Sequence, residues 1–175
     1  MAPQLPNIVG IEDLTPEMVR GRLSYDAVSG LFTWKVSPSR GVKAGSIAGH
    51  VRTDGYVNIR LFYRFYAAHR LAWFYTHGTW PPIIDHKDGD KANNRLDNLR
   101  EATKAQNIVN RKPPKGYFWS SRDKIFQSKI VVNGETLLLG RFRTAEAAHA
   151  AYLVAHEKHY GEFSFTRRSA TGNQP

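Results

Sequence analysis

The chain contains no cysteine. That excludes disulfide scaffolds, thiol catalysis and cysteine-ligated zinc. Any metal must be held by His, Asp, Glu, Asn or backbone oxygens, and oxygen-rich sets favour hard divalent ions, Mg²⁺ first and Mn²⁺ second. There is also no apolar run approaching the ~18 residues needed to span a bilayer. The opening MAPQLPNIVGIEDL has no basic stretch followed by an apolar one, so it does not read as a secretory signal. A cytoplasmic, monomeric protein without a membrane partner is expected. Acidic residues are few: 15 Asp and Glu stand against 25 Lys and Arg, a formal charge of +10 with pI ≈ 10.0. Between Lys35 and Tyr75 the only acid is Asp54, among Lys35, Arg40, Lys43, Arg52, Arg60, Arg64 and Arg70. Such a balance calls for a polyanionic partner, nucleic acid before others. At 175 residues the chain has room for one ordinary domain or two small ones.

Local signals organise it as α+β. Thr15-Pro16-Glu17 is a helix start, a hydroxyl cap followed by proline, with the helix running to about Leu23. Leu31–Trp34 reads as a strand. Asp54-Gly55 predicts a hairpin between His50–Thr53 and Tyr56–Phe62. Ala67–Tyr75 is dense in Ala, Leu and aromatics and predicts a buried helix ending at Gly78, barred from continuing by Pro81-Pro82. Thr103-x-x-Gln106 has the spacing of a capping box. The basic, proline-rich segment 111–115 reads as a linker, so one domain is expected over residues 1–112 and another over 115–162, with 163–175 a disordered tail. In the second domain three strands are predicted at 116–120, 125–132 and 135–142, with Asn133-Gly134 as a type I′ turn. A helix capped by Thr144 follows, its buried stripe being Ala148, Ala151, Tyr152, Ala155 and His159.

The chemistry concentrates between Asp85 and Asn110. Phosphodiester hydrolysis needs a base to activate water, a partner to orient that base, and a divalent cation to stabilise charge on the phosphate. Asp85-His86 at a strand end can supply ligand and base side by side, and an Asn-rich hairpin can return to orient the histidine. Each element alone is ambiguous: Asp-His pairs occur in turns, and Asn93, Asn94 and Asn98 are common turn formers. His69 sits in an apolar helix and reads as structural.

Together, His69-Arg70-Leu71, Asp85-His86, Asn93-Asn94-Arg95-Leu96, Asn98-Leu99-Arg100 and Asn107 resemble the HNH endonucleases, the ββα-metal or His-Me finger nucleases, and especially the phage and intron homing type. The resemblance implies His86 as general base, Asp85 and Asn107 as ligands of one divalent ion, and Asn98 as the residue that ties the two strands together and orients His86. Beyond the linker, Gly116-Tyr117-Phe118-Trp119, Phe126–Ile130, Leu139–Phe142 and Thr144–Ala148 resemble the AP2 DNA-binding domain, whose three-stranded sheet enters the major groove. Phe118, Ser120 and Leu138 depart from the Arg or Trp of its plant members. By alternation Phe126, Ser128 and Ile130 should face inward, Gln127 and Lys129 outward. The expected contacts to double-stranded DNA are Arg52, Arg60, Arg64, Arg70, Arg100, Arg111, Lys112, Arg122, Lys124, Gln127, Lys129 and Arg141. The competing expectation is a non-enzymatic DNA-binding regulator on the same scaffold, and a third is RNA binding on charge alone.

Overall fold

A computed structural model describes residues 13–110 and 115–167. They form a mixed α+β structure that divides into two compact units, residues 13–86 with 90–101, and residues 87–89 with 102–110 and 115–167. Among the described residues no helix is long and apolar enough to cross a membrane.

In the first unit, α1 spans Pro16–Arg22; the Thr15 hydroxyl accepts from the Met18 amide, as the sequence predicts. Strand β1 (Leu23–Tyr25) follows and pairs antiparallel with β2 (Phe32–Trp34). A three-stranded sheet comes next, ordered β3 (His50–Val51), β4 (Val57–Leu61), β5 (Arg64–Ala67). Helix α2 (Ala68–His77) ends at Gly78, which takes the left-handed conformation at φ 72°. The strands β6 (Ile84–His86) and β7 (Leu99–Glu101) form a two-stranded ribbon. Val19, Leu23, Phe32, Ile59 and Leu71, each at most 1% exposed, form the centre of the core. Burying side chains of this size contributes about 1.5–3 kcal/mol apiece.

The β4–β5 connection was not predicted. Leu61 pairs with Arg64, leaving Phe62 and Tyr63 as a two-residue turn with φ 48° and 64°. Hairpins favour this backbone, but ordinarily with Asn or Gly. Two bulky L-residues in the left-handed region cost about 1–2 kcal/mol each.

The second unit holds α3 (Lys104–Val109), where the Thr103–Gln106 capping box forms in full. It also holds the antiparallel sheet β10-β9-β8, made from β8 (Tyr117–Ser120), β9 (Ile125–Val132) and β10 (Glu135–Phe142). The β9–β10 turn has Asn133 at φ 51° and Gly134 at φ 86°, as predicted. Helix α4 (Ala145–Tyr160) packs on the sheet through Ala148, Tyr152 and Ala155, with Ile130 beneath.

Four expectations need correction. The division into two compact units falls before α3 and not at the linker, with α3 packed near the 3₁₀ turn Gly161–Phe163 of the second unit. The histidine in the α4 stripe is His156, not His159, which is exposed. Residues 163–167 are not a loose tail: Ser164 is 2% exposed and hydrogen-bonds to His156. The strand at Leu31 begins one residue later, and Leu31 is exposed. Arg111, Lys112 and residues 168–175 lie outside the described residues.

Candidate active site

The β6–β7 ribbon positions the site. Asp85 pairs with Arg100 and His86 with Leu99, and all four side chains are buried. Successive side chains leave opposite faces of a strand, and the two neighbours find different partners.

Asp85 meets its cross-strand neighbour. Arg100 Nε and Nη2 both donate to Asp85 Oδ2, at 3.0 and 2.8 Å. With side chains 6% and 10% exposed, this is a buried, charge-assisted fork. Arg100 is therefore not an exposed phosphate contact, which corrects the expectation. The reason is register: a guanidinium placed directly opposite a buried carboxylate neutralises it before any ligand arrives.

His86 lies in an aromatic and amide pocket. Its ring is 5.0 Å from that of His69 and 6.0 Å from that of Tyr56. Asn94 Oδ1 lies 3.4 Å from His86 Nε2. An amide oxygen only accepts, so a hydrogen bond at this contact requires a proton on Nε2.

The loop bearing Asn94 is held from three sides. Asn98 Nδ2 donates to Asn93 O at 2.8 Å, within the connection between the strands, while the Asn94 side chain faces the His86 ring. Asn94 Nδ2 donates to Ala92 O at 3.0 Å. The Tyr25 hydroxyl donates to Asn94 O at 2.7 Å. Burial, then Asp26 and Asp97 nearby, raise the pKa of Tyr25 to about 12, so it remains a donor throughout the useful pH range. The β1–β2 turn presses on the same loop: Gly30 has φ 74°, and a Cβ there would meet Arg95 N at 2.5 Å and the Asn94 carbonyl carbon at 2.6 Å. Only glycine satisfies both the backbone and the approach.

His69, on α2, is 8% exposed. Its Nδ1 is buried with no hydrogen-bond partner among the described residues. Burial first, then the neighbouring His86 and Arg70, bring its pKa down to about 3. It is a neutral ring packed edge-on against the candidate base.

Asn107 is half-buried on α3, in the second unit. Among the described residues no three His, Asp or Glu side chains form a group able to hold a metal ion.

The expected DNA contacts are dispersed. Arg52 is exposed and paired with Asp54 at 3.0 Å. Arg60 and Arg64 are exposed on β4 and β5. Arg70 donates to Pro82 O and lies over Trp80, a packing role that sequence reasoning did not foresee. In the second unit Arg122 and Lys124 are exposed between β8 and β9. The register places Phe118, Gln127 and Arg141 in one cross-strand row. Ser128 and Ile130 are buried on the other face, as alternation predicts. Gln127 is half-buried and donates to Asp123 at 3.3 Å; exposed Lys129 lies 4.9 Å over the Phe118 ring.

Residues 66–109 match the family model described as HNH endonuclease. The match contains α2, the β6–β7 ribbon and α3, and so every residue of the Asp85–Arg100 and His86–Asn94–His69 clusters. The chain is also 32% identical over 83 residues to Protein 3.8 of Escherichia phage T7, a match covering 42% of this chain and 69% of the phage protein. The chain belongs to the family of that phage protein, with an HNH endonuclease domain at residues 66–109. No solved structure matches it.

Proposed function

We propose that the protein is a metal-dependent DNA endonuclease of the HNH type, with a ββα-metal core, working in the cytoplasm of a bacterial host and encoded by a phage or mobile element of the homing kind. The observation that carries this reading is His86 inside the HNH match: a buried imidazole at the end of β6, its Nε2 facing the Asn94 side chain. The donor chemistry suits a hard divalent ion such as Mg²⁺. Asp85 offers a carboxylate, which Arg100 already engages in a buried ion pair. Asn107 offers an amide oxygen, its assignment resting on the sequence resemblance. Such an ion, when bound, would stabilise negative charge on the phosphate and the departing oxygen.

The chain's own residues then divide the work. His86 takes a proton from water as the water oxygen bonds to phosphorus. The bond from phosphorus to the 3′ oxygen breaks, and that oxygen takes a proton from solvent water, leaving 5′-phosphate and 3′-hydroxyl ends. Asn94, held by Tyr25 and by the Asn98–Asn93 link, keeps the imidazole in one tautomer. Neutral His69 excludes water from one side of the ring without adding a competing charge. The second unit, read as an AP2-like module, would place Gln127, Lys129 and Arg141 against double-stranded DNA.

The test is nicking or linearisation of plasmid DNA by a monomeric preparation in Mg²⁺, in EDTA, and by His86→Ala. Cleavage should require the ion and fall by about 10²–10⁴-fold in the variant with DNA affinity retained, since a positioned base contributes that much to rate. Asp85→Ala and Asn107→Ala should each raise the Mg²⁺ concentration needed. One observation favours the rival, a DNA-binding regulator: Arg100 already occupies Asp85. Tight DNA binding with no cleavage in either Mg²⁺ or Mn²⁺ would establish that rival.

A further inference from the structure

The first unit contains a cavity of about 410 Å³ whose lining residues all precede the HNH match, in the size range of clefts that hold small ligands. Arg22, Trp34, Asn58, Arg60, Phe62 and Tyr63 line it, and none of its described lining residues is acidic. Its two arginines lie over aromatic rings. Arg22 lies 5.8 Å over the Phe62 ring, and Arg60 lies 6.0 and 5.9 Å over the rings of Tyr63 and Phe65.

The turn that supplies two of these rings is an independent observation. Phe62 and Tyr63 both occupy the left-handed region. Tyr63 is 75% exposed, so the fold gains almost no burial from its side chain. Glycine or asparagine would make the same turn without strain. Backbone strain of this kind collects at sites that bind or act. A flat aromatic surface flanked by guanidinium groups suits one chemical partner, a heteroaromatic base joined to a phosphate. Bases within a duplex have their faces covered by their neighbours, so only an unstacked nucleotide can offer a face to Tyr63 while its phosphate meets Arg60 or Arg22.

We propose that this cavity binds an unstacked nucleotide of a DNA strand, holding the strand locally single while the HNH site acts. The proposal rests on the nuclease reading for its purpose, but the binding itself does not require cleavage.

The experiment uses the full chain in EDTA, with fluorescence anisotropy on a short labelled oligothymidine and on a blunt duplex. Tyr63→Gly is the informative variant, because it removes the ring and relieves the φ strain together. Its melting temperature should hold or rise, while single-strand affinity falls by roughly 5- to 150-fold, the span expected for one lost stacking contact. Duplex affinity should change far less. Arg60→Gln should weaken the same single-strand binding without altering the turn. Unchanged single-strand affinity in both variants overturns the proposal, as does an equal loss on single strand and duplex. Plasmid cleavage by the parent separates the two readings. A parent that does not cut but loses single-strand binding on Tyr63→Gly leaves the cavity assignment standing and the nuclease reading refuted. A parent that cuts, with a variant that binds as before, does the reverse.

Discussion

Each unit buries a histidine among aromatic rings, and the two are treated differently. In the second unit His156 Nδ1 lies 2.7 Å from Ser164 Oγ, which in turn is 2.8 Å from Thr166 Oγ1. In the first, His69 Nδ1 has no partner among the described residues and its ring faces His86. Burial lowers the pKa of both, to about 4 for His156 and to about 3 for His69. Leaving a buried polar atom unpaired costs about 1–3 kcal/mol, so a unit shaped for stability alone would have closed both. Among the described residues of the second unit no buried side-chain polar atom lacks a hydrogen-bond partner. The interior of the first keeps polar capacity in reserve beside the candidate base, and with it a strained turn.

The comparison breaks most readily at Arg100. Arg100→Ala should destabilise the first unit by about 3–5 kcal/mol, because it strands a buried carboxylate. Asp85→Asn added to it should recover part of that loss. Urea unfolding measures both; a parental midpoint for Arg100→Ala would mean that the fork does not support the ribbon. Acid is the next largest effect. An unfolded histidine takes its proton near 6.5, whereas folded His69 does so only near 3. Below pH 6.5 the unfolded chain therefore binds protons that the folded chain refuses, and stability falls as pH drops through this window. His69 contributes up to about 1.4 kcal/mol per pH unit, and His156 acts in the same direction. His69→Phe should flatten the curve in metal-free buffer, and a melting temperature already flat in the parent between pH 6.5 and 4 would remove the basis for treating either histidine as buried and neutral.

Smaller effects sharpen the contrast. Ser164→Ala should cost about 1–3 kcal/mol by orphaning His156. His69→Phe should cost less than that, since Nδ1 has no bond to lose, and should show its effect in cleavage rate more than in melting temperature. Equal thermal losses in the two variants would erase the distinction between the units. The mildest change is Lys129→Ala with Arg141→Ala. If both touch phosphate, the double variant should lower the log–log salt slope of DNA binding by roughly 1.8, about 0.9 for each contact. An unaltered slope would mean that this sheet does not meet the backbone.

How much of this was legible in the sequence depended on distance along the chain. The Thr15 cap, the Thr103 capping box and the Asn133-Gly134 turn were readable because all their partners lie within a few residues. Asp85 and His86 stood out by their motif. The β4–β5 turn escaped notice because Phe62-Tyr63 carries none of the residues that announce such a backbone. Arg100 looked like one more basic residue, since its burial follows only from the β6–β7 register. Asn94 was hidden among three asparagines until the loop showed which one reaches the imidazole. The supports given by Tyr25 and Gly30 come from far upstream, and nothing local marks them. The α4 stripe favoured His156 over His159 because Ser164 returns to meet it.

The Asp85–Arg100 fork also acts as a check on assembly. The β6–β7 ribbon is three pairs long, with little else of its own to choose one alignment over another. Sliding either strand by one residue would turn His86 and Asp85 to the wrong sides and leave a carboxylate and a guanidinium enclosed without each other. A misaligned ribbon is therefore penalised twice, in charge and in packing, while the correct one closes both. The ribbon that carries Asp85 and His86 thus also tells a correctly assembled chain from an incorrect one.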